Sequence, residues 1–178
     1  MQYAGHLSDP NDPRIPVIRN SFDNTILHTD RVIDSAIAML EALDRPSFLI
    51  YLADHGENIY DTPDMLFFHA SKIGTHFEAH IPFLIWYSAS YEATCPEIVS
   101  TLNKHLGMPV SLTDAFHTAI QLLQLNTPWF DPKQSLASDD YLPHNARLMY
   151  TLEGPPQPAP PYPPEERARV DSIIASFH

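Results

Sequence analysis

Five apolar residues in a row, Phe48–Leu52, stop abruptly at Ala53-Asp54-His55-Gly56-Glu57. A short apolar run without alternation suits a strand covered on both faces. Strands of that kind belong to layered folds in which helices pack on a mostly parallel sheet. The same junction concentrates chemistry. A carboxylate and an imidazole side by side at the tip of a strand are good ligands for a borderline divalent ion such as zinc. Gly56 lets the chain turn tightly there. Taken alone, an Asp-His pair is better explained by a capping aspartate followed by an ordinary turn histidine.

The rest of the chain supports an α/β reading. Residues 1–19 are rich in Pro and Asp and read as an irregular lead-in. Asp23 or Asn24 is placed to cap a helix running to about Leu43, with Ile26, Ile33, Ile37 and Leu40 as its apolar stripe. Asp44-Arg45-Pro46 ends it, because the residue before a proline is pushed out of the helical region. Ile81–Trp86 reads as a second buried strand, and residues 57–79 between the strands have the composition of a site-bearing loop. Glu97–Leu106 and Leu112–Leu123 read as helices, the second opening on Ser111-Leu-Thr-Asp114, a capping box with Asp in place of Glu. Helix–strand–loop–strand–helix–helix order then predicts a mostly parallel sheet, with active residues at strand C-termini.

The tail differs in character. Gly154–Pro164 holds seven prolines in eleven residues, which rules out a regular helix or a place inside a sheet. The expected organisation is one domain over residues 1–153, a proline-rich linker over 154–164 and a short helix over 165–178.

Charge narrows the partners. Twenty-two acidic residues against ten Lys and Arg give a formal net charge of −12, which argues against nucleic acid or anionic lipid as a partner. Ten histidines are many for 178 residues and fit metal or phosphate chemistry. No run approaches the ~18 apolar residues of a membrane-spanning helix, and Met1 is not followed by a basic and then apolar leader. The single cysteine, Cys95, cannot form an internal disulfide and reads as a small, partly buried residue.

Several blocks together carry a resemblance. YLADHGENIYD (51–61), LFFHAS (66–71), HIPFLIWYSASY (80–91) and, upstream, NSFDNTILHTDRVIDSAI (20–37) resemble, in the same order, the phosphoethanolamine transferases of the alkaline phosphatase and sulfatase superfamily. Those enzymes carry a Tyr-x-Ser-Asp-His-Gly-Glu block, a Leu-His-Gly or Leu-His-Ala block, and a Pro-containing strand ending in Trp-x-Ser. The matched blocks span about residues 20–125, and Ala53 stands where the family usually has Ser.

The resemblance implies the C-terminal part of an alkaline-phosphatase-like α/β/α sandwich. It implies zinc, one ion or two, with Asp54 and His55 as metal ligands. It sets His69 against the phosphate or a second zinc, and more loosely matches Ala4-Gly5-His6 to a family histidine that contacts substrate. Glu57 is expected to orient a ligand, as outer acids of metal sites do. His76 and His80 flank the loop's return, and His28, His105, His117 and His144 have no site context. The family's nucleophilic Thr and a further Glu ligand match no residue here and are expected upstream of residue 1. The Cys-x-Pro-x-Arg signature of sulfatases fails at Cys95, because Val99 occupies the Arg position.

The activity so implied is metal-dependent transfer of phosphoethanolamine from a phospholipid to lipid A or another envelope glycan. It would take place at the periplasmic face of the bacterial inner membrane. A sulfatase or phosphodiesterase of the same superfamily, using water as acceptor, is the alternative within enzymes. A catalytically inactive, structural C-terminal fragment is the alternative outside them. An exposed sheet edge and apolar face further predict a homo-oligomer when the chain lacks the other half of the catalytic domain.

Overall fold

The aspartate and prolines that suggest an irregular lead-in in fact start a helix. In the computed structural model, which describes residues 7–72, 74–144, 147–152 and 154–175, helix α1 runs from Arg14 to Glu41. Asp12 caps it: Oδ1 accepts the Arg14 N–H at 2.9 Å and its carbonyl accepts the Ile15 N–H at 3.1 Å. Pro13 and Pro16 sit around the first turn, where a helix needs no N–H donor. Asp44, at φ +49°, and Pro46 close the other end. His6 lies outside the described residues.

Further elements follow in order: β1 (Phe48–Leu52), β2 (Asn58–Ile59), β3 (Phe67–Phe68), α2 (His76–Ala79), β4 (Phe83–Tyr87), α3 (Ala89–Thr94), α4 (Pro96–Lys104) and α5 (Thr113–Leu122). A 3₁₀ turn at Pro132–Gln134, β5 (Leu148–Met149), β6 (Gln157–Pro158) and α6 (Pro164–Ala175) complete the chain. No helix among the described residues is long and apolar enough to cross a membrane.

The expected mostly parallel sheet is corrected here. Among the described residues the strands form three two-stranded ladders, β1–β4, β2–β3 and β5–β6, and all are antiparallel. A parallel return needs a crossover long enough to carry the chain back along the strand, usually a helix. Among the described residues between β1 and β4 the only helix is the four-residue α2, too short to carry the chain back along the strand.

The chain divides into two compact units, each built from three separate stretches. One comprises Met39–Leu52, Phe83–Arg147 and Pro161–His178. In it Phe48 and Ile50 of β1, with Phe83, Ile85 and Tyr87 of β4, pack on a core of Tyr91, Val99, Leu102, Leu122, Leu136 and Tyr141. The i, i+2 spacing means that one face of this ladder meets that core. The alternate residue Leu84 is 38% exposed, and every residue of β1 is half-buried, where the unbroken apolar run predicts full burial. Ser88 closes the ladder's end: its N–H donates to the Ser47 carbonyl at 2.9 Å, and its hydroxyl caps α3 by accepting the Tyr91 N–H at 3.2 Å.

The same unit holds three of the unassigned histidines. His105 Nδ1 lies 2.8 Å from the Leu136 carbonyl, His117 Nδ1 accepts the Asp131 N–H at 3.1 Å, and His144 Nε2 lies 2.9 Å from Asp114. Asp114 also accepts the Ser111 N–H at 2.8 Å, the backward half of the expected capping box.

The other unit comprises Met1–Ala38, Ala53–Pro82 and Leu148–Pro160. Its core joins Leu7 and Ile15 to Tyr60 and Met65, flanked by Ile18 and Phe67. Arg19 of α1 donates to the carbonyls of Ile59 and Tyr60 and pairs with Asp61 at 3.4 Å. The chain enters this unit at Ala53, directly after β1.

Candidate metal centre

The local sequence builds a strained hairpin. β2 and β3 pair Asn58 with Phe68 and Ile59 with Phe67, so the same register continued outward sets Glu57 opposite His69. Tyr60, Met65, Phe68 and Ala70 all adopt positive φ, between 54° and 67°. Side-chain-bearing residues visit that region at a cost, and such strain collects at functional sites. Two of the four flank His69 directly.

Three side chains meet at the open end of the hairpin. Candidate ligand atoms of His55, Glu57 and His69 all lie within 4.8 Å of one another. Glu57 Oε1 is 2.9 Å from His69 Nδ1 and 3.8 Å from His55 Nδ1. The His55 and His69 rings lie 3.9 Å apart, centroid to centroid, at 36°. Both imidazoles are partly exposed, whereas Glu57 is mostly covered, and its Oε2 is buried without a hydrogen-bond partner among the described residues.

Asp54 stands apart from this trio. Its side chain is 87% exposed, with Oδ2 3.7 Å from His55 Nε2, and Oδ1 accepts the His55 N–H at 3.1 Å. The structure thus brings His55, Glu57 and His69 together and leaves Asp54 on the solvent side of His55. Glu57, expected to orient a ligand, accepts from His69 Nδ1 if that nitrogen carries the proton, which leaves His69 Nε2 free to ligate.

Two imidazoles and a carboxylate suit zinc, whose ligand atoms stand about 3.4 Å apart in a tetrahedron of ~2.1 Å bonds. The partnerless Glu57 Oε2 is the kind of buried polar atom that a cation satisfies. The residues present therefore fit the group, and they suggest a metal.

Behind the trio lies a buried polar network that the sequence reading does not single out. Asn58 is fully buried; its Nδ2 donates to the Phe68 carbonyl at 2.9 Å and its Oδ1 accepts the Thr75 hydroxyl at 2.8 Å. Glu78, 5% exposed, accepts the Ser71 N–H at 2.8 Å and the Ser71 hydroxyl at 2.5 Å. It also accepts the Thr75 N–H at 2.9 Å, completing a capping box for α2. Burial, the largest influence, pushes the Glu78 carboxyl up, but the donors from Ser71 and Thr75 together outweigh it and hold it below its ordinary value. Thr75-x-x-Glu78 is a sequence-level capping-box signal and could have found this residue.

The chain is similar to known proteins of one family. The chain is 33% identical to the phosphoethanolamine transferase EptC of Escherichia coli O18:K1:H7 over 123 residues, 68% of this chain and 21% of that protein. It is 30% identical to the phosphoethanolamine transferase EptA of Salmonella typhimurium, over 72% of this chain and 23% of that one. The chain thus spans about a fifth of the length of these relatives. The crystal structure of the C-terminal periplasmic domain of E. coli EptC superposes with a TM-score of 0.72 at 26% identity, over 86% of this chain and 43% of that one. A zinc complex of the same domain superposes with a TM-score of 0.70. The fold is accordingly the alkaline-phosphatase-like fold of that periplasmic domain. The Sulfatase family model matches residues 3–125, and to that family this chain belongs.

Proposed function

We propose that this chain is part of a metal-dependent phosphoethanolamine transferase, one that moves phosphoethanolamine from a phospholipid to lipid A or another envelope glycan at the periplasmic face of the inner membrane. The observation that carries the reading is the meeting of His55, Glu57 and His69 in one hairpin. Support comes from relatives named as phosphoethanolamine transferases and from a zinc complex of a structural neighbour.

In this reading His55 and His69 present imidazole nitrogens to zinc, and Glu57 ligates through an oxygen or holds His69 in orientation. Asp54, which the resemblance pairs with His55 as a metal ligand, lies beside it with its carboxylate exposed and open to the ion. His6 is the candidate to meet the phosphate, a role that falls to His69 as well if it is not on the metal. Bound zinc would supply Lewis acidity, lowering the pKa of an attacking hydroxyl and neutralising phosphoryl charge. The nucleophile belongs to the part of the family domain that this chain does not span. A hydrolase using water as acceptor rests on the family name alone, whereas the relatives named above are transferases.

The test is a chimera in which residues 20–125 replace the matching segment of E. coli EptC. Zinc-dependent phosphoethanolamine transfer that survives the exchange and is lost on His55→Ala or His69→Ala supports the proposal. A correctly folded chimera that releases phosphoethanolamine only to water, or that works equally well without either histidine, overturns it.

A further inference from the structure

We infer that Glu78 is a positioning residue for the His55–Glu57–His69 cluster, fixing the separation of the two chain segments that carry those side chains. Its functional weight rests on the metal-binding reading above; its geometry does not. Gly56, between His55 and Glu57, donates its N–H to the Glu78 carbonyl at 2.9 Å. Ser71, two residues past His69, gives its N–H to Oε1 and its hydroxyl to Oε2. One buried residue of a four-residue helix therefore grips both arms of the site. Thr75 extends the grip inward, linking Glu78 to Asn58 and through it to the Phe68 carbonyl, one residue before His69.

The two imidazoles are 39% and 48% exposed, so core packing does little to fix them, and their placement depends on the backbone that carries them. The Ser71 and Thr75 side of the grip also depends on ionisation, whereas the Gly56 side uses the main-chain carbonyl. Both carboxylate oxygens of Glu78 accept, and a neutral amide at this position offers only one acceptor. Among the described residues its side-chain hydrogen bonds go to Ser71 and Thr75 and not to the candidate ligands, so it acts through their backbone.

The test compares the full chain with Glu78→Gln, Ser71→Ala and Ile15→Ala. The last is a core variant of the same unit that controls for lost stability. Two quantities are read: zinc affinity by chelator competition, and the imidazole ¹H–¹³C shifts of His55 and His69 in the zinc-free chain. Glu78→Gln is expected to weaken zinc binding at least tenfold and to move the His69 ring signal toward that of the exposed His28, with a smaller shift at His55, whose Gly56 tie is to the main-chain carbonyl that the variant keeps. Ser71→Ala, which keeps the N–H tie and removes the hydroxyl that donates to Glu78 and accepts the Gly74 N–H, shifts both readouts the same way by less, and serves if Glu78→Gln does not fold. Ile15→Ala lowers the melting temperature and leaves both readouts alone. Ring shifts and affinity unchanged in Ser71→Ala and Glu78→Gln, or changed equally by Ile15→Ala, overturn the inference. A parent chain that binds no zinc, in which the ring shifts still collapse on Glu78→Gln, defeats the metal reading and leaves the positioning role standing.

Discussion

Glu57 and His69 face each other across the β2–β3 hairpin, with Glu57 Oε1 2.9 Å from His69 Nδ1. Two residues twelve apart in sequence thus form one unit, in which the acid sets which imidazole nitrogen is free. Orienting acids of this kind typically contribute 10–100-fold to metal affinity. Glu57→Gln keeps the size and one acceptor but removes the charge, and is expected to weaken zinc binding by about that factor. Isothermal titration of parent and variant checks it, with the melting temperature as control. Equal affinities would leave Glu57 without a part in the site.

Gly56 is fixed by a close approach. A Cβ on this residue would lie 1.9 Å from the Phe77 carbonyl oxygen, and both partners are backbone atoms of tightly bonded segments. The Gly56 N–H is already committed to Glu78, so the chain cannot move aside without losing that bond. Gly56→Ala should destabilise by roughly 2 kcal/mol or more, from overpacking plus a lost hydrogen bond. Urea denaturation measures this directly, and a change below about 0.5 kcal/mol would contradict the packing described here.

Ala70 runs the other way. It adopts φ +60° immediately after His69, a region that a Cβ makes unfavourable by about 1 kcal/mol. Ala70→Gly is therefore expected to stabilise the chain by about 0.5 kcal/mol, the relief exceeding the entropy gained by the unfolded chain. A higher urea midpoint with unchanged slope is the expected result; a lower midpoint would mean that this backbone carries no strain.

Sequence revealed some of this and concealed the rest for identifiable reasons. β1 was legible to its bounds, Phe48–Leu52, because an apolar run between Pro46 and Asp54 has few other uses. The start of α1 was not, since the Asp-Pro composition that caps a helix is also that of a loop. Strand direction was hidden because it depends on the path of residues 53–82, where α2 is too short to act as a crossover. His55 and His69 were marked by their motifs, but motif spacing does not say that a two-residue ladder brings their rings to 3.9 Å. Asn58 gave no signal, because a buried amide is recognised by its partners and those lie 10 and 17 residues away.

Asp114 tests the second unit. Fully buried, it accepts from Ser111 N–H and Tyr141 hydroxyl, and its His144 contact measures 2.9 Å. Burial first, and the Asp114 charge second, push the Tyr141 phenol above its ordinary range. Asp114→Ala orphans buried donors and should cost about 3 kcal/mol or more, whereas Tyr141→Phe, which leaves Asp114 its other partners, should cost about 1 kcal/mol. Comparable losses in chemical denaturation would mean that Asp114 is not the hub.

Glu78 gives a pH signature whose sign is fixed by its surroundings. Its carboxyl is held below the ordinary 4.5 because the donors from Ser71 and Thr75 outweigh the opposing effect of burial. A group with a depressed folded pKa binds protons more readily in the unfolded chain, so it contributes stability above the unfolded value. That contribution is present in full above about pH 4.5 and is lost as pH falls through the lower folded value. Glu78→Gln should therefore be less stable than the parent at neutral pH, and the gap should narrow steadily as the medium is acidified below pH 4.5. Urea midpoints at several pH values for both chains give the curve. A gap that stays constant across the acid limb would show that the carboxylate charge takes no part in holding Ser71 and Thr75 together.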